Sequence, residues 1–166
     1  MSENKHPHRP TRGARSLSRE FALLGLYQWL VSGTDAKTID KNLLSILSED
    51  GDAWHGSALD PADFDRCDKQ HFSELLNGVI ENAQEIEALI GQHLDRDIAR
   101  LSLVERSVLM MAAYEMKFNV EIPYRVIINE AVELSKQFGG NDGFRFVNGV
   151  LDKVAAQTRA HEVKGK

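Results

Sequence analysis

Apolar positions recur along this chain at helical spacing almost from end to end. Over about 16–31, Ala22, Leu23, Leu26, Trp29 and Leu30 form one stripe, and Leu17, Phe21, Leu24 and Val31 form a second on the other side. A helix that is apolar nearly all round is a central, buried one. Residues 37–48 fit a second helix. The stretch that follows is rich in Gly, Asp and Ser and reads as an exposed loop. Pro61 and Asp63 open a further helix running to about Asn82, and more helical sequence ends near Leu94. Residues 94–102 make a polar joint. The pattern resumes over 105–118, with Val104, Val108 and Met111 on one face and Ser107, Met110, Tyr114 and Phe118 beside them. Pro123 suits the first turn of the next helix, where the N–H it lacks would be unpaired anyway. That helix runs to Phe138, and Gly139 and Gly140 stop it. Asn141 or Asp142 caps a last helix reaching about Ala160, whose apolar stripe is Phe144, Val147, Val150, Leu151 and Val154.

No strand pattern, hairpin signal or fixed-period repeat interrupts this series. The expectation is an all-α fold, a compact bundle of about seven helices in two subdomains. One domain over 15–166 divides into a helical half of about 15–95 and another of about 96–160. Residues 1–14 contain Pro7, Pro10 and Gly13 without apolar periodicity, and read as a disordered basic arm.

Composition changes this picture in one respect. The chain of 166 residues is 42% hydrophobic and 27% charged, as ordinary globular proteins are. No apolar run approaches the ~20 residues that span a bilayer, and no secretory signal opens the chain, so a cytoplasmic protein with no membrane partner is expected. Cys67 is the sole cysteine, which excludes an internal disulfide. The charge, however, is uneven. Lys5, Arg9, Arg12, Arg15 and Arg19 against Glu3 give residues 1–19 a net +4 of a total −5, leaving −9 for the remainder. A basic arm on an acidic body suits a nucleic-acid binder, and equally a merely solubilising tail.

Catalytic chemistry finds little support. There is no phosphate-binding Gly-rich loop, and Gly139–Gly140 lies between helices rather than after a strand. The six histidines are scattered and none pairs with another at helical spacing, so no metal site and no cofactor are expected. Paired acids such as Glu81 and Glu85 fall on polar faces, where nothing shifts a pKa toward catalysis. The chain reads as a non-enzyme.

Three features suggest binding instead. Arg15 and Arg19 lie four apart at a helix start and share a face. Cations there oppose the helix dipole, and a phosphate would reverse that sign; the alternative is that Glu20 and the acidic body neutralise them. Tyr27 is expected two turns beyond Arg19 on the same side of the helix, which would align phosphate-binding and base-stacking groups, as single-stranded RNA sites do; the alternative is a core tyrosine. Phe146 falls at the margin of the last helix's apolar stripe, with Asp142 and Lys153 on the same flank. It is either a stacking residue or edge-of-core packing.

Four ordered segments carry a resemblance. ARSLSREFALLGLYQW (14–29), VERSVLMMAAYE (104–115), IPYRVIINEAVELSKQFG (122–139) and DGFRFVNGVLDKVA (142–155) resemble the NusB family of transcription antitermination factors. The resemblance implies a two-subdomain all-α fold and binding to box A, a short single-stranded element of leader RNA, including that of ribosomal RNA operons. It implies pairing with the tenth small-subunit ribosomal protein, known in this role as NusE. It also implies help to RNA polymerase, together with other Nus factors, in resisting termination. A homodimer masking the RNA face is a further state that the resemblance brings in. The family's arginine-rich start maps onto Arg15 and Arg19, with Arg9 and Arg12 adding cations from the arm. Its first-helix tyrosine maps onto Tyr27, its last-helix RNA-facing residues map onto Asp142, Arg145 and Phe146, and its partner-facing surface includes Glu105. The competing expectation is a purely protein-binding helical module with an incidental basic tail, which would lack the steep salt dependence of phosphate binding.

Overall fold

The computed structural model describes residues 13–49, 59–140 and 142–165, with the side chains of 47–49 left aside. The expected disordered arm, with Arg9 and Arg12, lies outside the described residues, as does most of the expected exposed loop, 50–58. Among the described residues the structure is helical without strands. In chain order it comprises α1 (Ala14–Ser32), α2 (Ala36–Glu49), a 3-10 turn (Pro61–Arg66), α3 (Lys69–Glu81), α4 (Ala83–Gly91), a 3-10 turn (Ile98–Arg100), α5 (Leu103–Phe118), α6 (Tyr124–Phe138), α7 (Gly143–Thr158) and the short α8 (Ala160–Lys164). None of these helices is long and apolar enough to cross a membrane.

The all-round apolar pattern of α1 has the expected consequence. Every residue from Leu17 to Leu26 is buried. Its end is set by Gly33, which takes a left-handed φ of 74° and donates its N–H to the Trp29 carbonyl. A side chain at that φ would be strained, so glycine is the natural stop. α5 is the second central helix: Val108 through Ala113 and Met116 are buried along it. Its N-cap is Ser102, whose hydroxyl accepts from the Glu105 N–H at 3.1 Å.

α1, α2 and α3 pack together, and α5, α6 and α7 pack together, with α5 also against α1 and α3. α4 packs mainly on α5 and also touches α3 and α7, bridging the two groups. One hydrophobic core runs through both groups.

One boundary differs from the sequence pattern. The helix expected from Pro61 to about Asn82 is broken in two. Asp60 and Asp63 form a reciprocal capping box around the 3-10 turn. The chain then extends at Cys67, and Asp68 caps α3 by accepting from the His71 N–H. At the other end, α7 stops at Thr158 and the buried Arg159 turns the chain into α8.

Candidate nucleic-acid interface

The start of α1 presents Arg15 to solvent. Among the described residues it pairs with Asp68, 3.7 Å from Nε, and both side chains are substantially exposed. A pair this long and open is weak, which leaves the guanidinium free to exchange partners. Asp68 is held below the usual carboxylate range, chiefly by the hydrogen bond it accepts from the His71 backbone.

Arg19 does not share that surface. It is 4% exposed, and its guanidinium is bidentate on Glu115 of α5, with Nε to Oε1 at 2.9 Å and an Nη to Oε2 at 3.1 Å. Glu130 of α6 lies 3.8 Å from the other Nη, and His71 Nε2 is 2.9 Å from Glu115 Oε2. The expected phosphate-binding pair of Arg15 and Arg19 is therefore corrected: Arg19 is an internal counter-ion. The reason is geometric, since a helix buried all round keeps no solvent face in its middle. Burial pushes the Glu115 carboxyl up, but the His71 hydrogen bond and the Arg19 charge outweigh it and hold the group below its ordinary value.

Tyr27 is 39% exposed near the C-terminal end of α1, so the core alternative does not describe it. Twelve residues of helix separate it from Arg15, about 18 Å along the axis.

The start of α7 gathers the second group. Asp142 stands at the N-cap position without a side-chain capping bond, and its Oδ1 lies 3.4 Å from Arg145 Nε. Both side chains are about three-quarters exposed. Glu105 is half-buried against the α7 start: a Cβ on Gly143 would come within 2.8 Å of its Oε2, which places the Glu105 carboxylate beside the first residue of α7. The partner-facing and RNA-facing expectations thus meet at one junction.

Phe146 is half-buried and packs against the core, with the Arg96 guanidinium 5.5 Å from its ring centroid. Edge-of-core packing is the observed arrangement, though a cation also covers the ring. Phe146→Ala is accordingly expected to lower the melting temperature measurably, by about 1–3 kcal/mol of stability at the midpoint, which calorimetry would detect.

Phe144 reverses its expected role as well. It is half-buried but is not among the side chains packed on the core. Lys136 Nζ and the Arg145 guanidinium carbon each lie 5.0 Å from its centroid. The helical wheel points Phe144 inward, but what meets α7's first turn there is polar, namely Lys136 and Glu105. Lys136, Arg96 and Phe144 are the cluster members that the sequence pattern left out. Their only sequence signal was an aromatic between two cations, Lys136 and Arg145, across the Gly139–Gly140 turn. The α6 end also ties this junction to α1, because Gln137 Nε2 donates to Glu20 Oε1 at 2.8 Å.

Known proteins resemble the chain throughout this region. The NusB family model matches residues 16–156. The transcription antitermination protein NusB of Paraburkholderia phytofirmans is 47% identical over 153 residues, covering 92% of this chain and 96% of that protein. The NusB of Nitrosomonas europaea is 45% identical over 157 residues, covering 95% and 85%. Among solved structures, NusB from T. maritima superposes with a TM-score of 0.69 at 29% identity, covering 93% of this chain and 99% of that one. NusB in a crystallised complex of antitermination factors NusB and NusE with double-stranded RNA shares the fold, with a TM-score of 0.66 at 23% identity over 86% and 96% of the two chains.

Proposed function

Since this chain belongs to the NusB family, we propose that it is a transcription antitermination factor with no reaction of its own, which holds box A-type single-stranded leader RNA jointly with the tenth small-subunit ribosomal protein. The observation that carries this reading is the family match over 16–156, which begins one residue after Arg15 on α1 and takes in Tyr27 and Asp142–Phe146 on α7. The relatives named above are transcription antitermination proteins.

In this reading Arg15, with Arg12 ahead of it in the sequence, meets phosphates. Tyr27 offers an exposed ring for a base. Arg145 meets a second stretch of backbone, and Asp142 accepts from base or sugar donors. Phe146, braced by Arg96 and the core, bounds the site. Glu105, under the α7 start, belongs to the neighbouring face that a basic ribosomal protein would cover. The pair then serves RNA polymerase, with other Nus factors, by keeping the leader RNA attached. Two linked sites raise each other's occupancy through effective concentration, without a new contact.

The test is an anisotropy titration of labelled box A-type RNA, with and without the ribosomal partner. The reading requires preference over a scrambled RNA in at least one of the two. Arg15→Ala is expected to weaken RNA binding and to reduce the slope of log K against log salt by about 0.7, the value for one phosphate on a single strand. An unchanged slope removes Arg15 from the interface. Arg19→Met is expected to leave the salt slope of the folded protein unchanged.

A further inference from the structure

Phe144 is an aromatic side chain that neither the core nor the site expected from sequence accounts for. We propose that Phe144, with Lys136 and Arg145, forms a base-stacking subsite for single-stranded RNA at the junction of α6 and α7. The inference rests on the RNA-binding reading above and extends it to two residues that reading does not use.

Three observations carry it. First, Phe144 is half-buried without packing on the core, unlike Phe138 and Phe146 on either side of it in the sequence. Its ring is therefore held in place but not consumed by packing. Second, two cations lie over that ring, each 5.0 Å from its centroid, one from each helix. Third, both cations are open to exchange. The Lys136 and Arg145 side chains are 50% and 73% exposed. Their carboxylate partners, Glu133 at 3.7 Å and Asp142 at 3.4 Å, make only weak surface pairs.

A flat ring flanked by two exposed cations matches one nucleotide step. The base stacks on the ring, and the phosphates on either side of it displace the cations' weak acidic partners. An acidic peptide would use the cations but not the ring. The α7 start adds orientation, because the Asp142 side chain makes no capping bond that a phosphate would have to displace. The subsite adjoins the other α7 residues of the proposed interface, Asp142 and Phe146, and Gln137, next to Lys136, ties α6 to the buried Glu20 of α1.

The experiment uses the full chain and labelled box A-type RNA, with Phe144→Leu, Phe144→Tyr and Lys136→Gln. Phe144→Leu is expected to weaken RNA binding by about tenfold with its salt slope unchanged, because stacking carries no counterion release. Phe144→Tyr should bind like the parent. Lys136→Gln, at an exposed position that folding does not depend on, should reduce the salt slope by about 0.7. Melting temperatures should stay near the parent's. The parent protein is read first. If it shows no RNA preference, alone or with the ribosomal partner, both the function and the subsite fall. If it binds RNA and Phe144→Leu binds equally well, only the subsite falls. It falls too if Phe144→Leu loses binding and melting temperature together, which marks a core residue. Weakened binding of the ribosomal partner in the absence of RNA also overturns it, by marking a protein-docking face.

Discussion

Glu115→Ala is expected to lower stability by about 3–5 kcal/mol, the cost of stranding a buried charge. Glu115 is 1% exposed and accepts from both Arg19 and His71. Its removal leaves the Arg19 guanidinium inside the protein with Glu130 at 3.8 Å as its remaining acidic neighbour. It also leaves His71 Nε2 without its acceptor. For a domain whose total stability is of order 5–15 kcal/mol, that is a large fraction, and the melting temperature should fall by roughly 10 °C. The acid limb supplies a second check. Glu115 is held below its ordinary value of 4.5 in the folded chain. The unfolded chain therefore binds this proton first as pH falls. The stabilisation from ionised Glu115 is complete above about pH 4.5 and is lost as pH drops through the folded-state pKa. Glu115→Gln should flatten the stability profile in that acid window. A joint replacement, Arg19→Met, His71→Phe and Glu115→Leu, should recover most of the loss, because it strands no charge. Calorimetry across pH decides all three, and a Glu115→Ala protein as stable as the parent would refute the internal ion-pair account.

The same cluster shows where sequence reasoning stopped. Two apolar stripes on α1 correctly implied a helix buried all round. Taken strictly, that pattern also denied Arg19 a solvent face, yet its spacing from Arg15 suggested a shared phosphate site. What decides the matter is Glu115, ninety-six residues away in sequence, and no periodicity within α1 can announce a partner on α5. Element positions were legible because they are local: α1, α5, α6 and α7 begin and end within about two residues of where caps, Gly and Pro put them. The split between the 3-10 turn and α3 was not, because two Asp caps eight residues apart, at Asp60 and Asp68, look like one helix start with a polar first turn. At the start of α7 the sequence pattern singled out Asp142, Arg145 and Phe146 but placed Phe144 in the apolar stripe. Phe144 and Phe146 lie about 200° apart on the wheel, so one of them faces the core. Which one depends on what meets the first turn of α7, and there that is Lys136 and Glu105 rather than apolar side chains.

Arg159, which no sequence motif singles out, carries the second large expected effect when replaced. It is 7% exposed and donates to four backbone carbonyls around the end of α5: Met116 at 2.8 Å, Ile122 at 3.0 Å, Asn119 at 3.1 Å and Glu115 at 3.3 Å. Glu115 and Asn119 each also accept a backbone N–H, from Asn119 and Ile122, so the guanidinium braces the helix end and the turn after it, and a cation there suits the dipole. One Nη further pairs with Glu162 at 2.6 Å. Glu162 in turn accepts from the Tyr124 N–H at 2.9 Å, supplying the N-terminal cap that Pro123 cannot provide with its own side chain. That backbone hydrogen bond is the main reason the Glu162 carboxyl sits below its ordinary range. Arg159 and Glu162 thus clamp the end of one core helix to the start of the next. Arg159→Ala should cost about 3–4 kcal/mol, since charged hydrogen bonds contribute ~1.5–3 each and the Met116 and Ile122 carbonyls lose the guanidinium that donates to them. Arg159→Lys should rescue little, because one ammonium cannot reproduce the planar fork that reaches four oxygens. Amide exchange provides the discriminating readout. Protection should fall first at Asn119, Ile122 and Tyr124, and only afterwards in α1 and α3, because the clamp holds the α5–α6 turn and not the N-terminal helices. Uniform loss of protection across the chain would mean instead that Arg159 acts only through global stability.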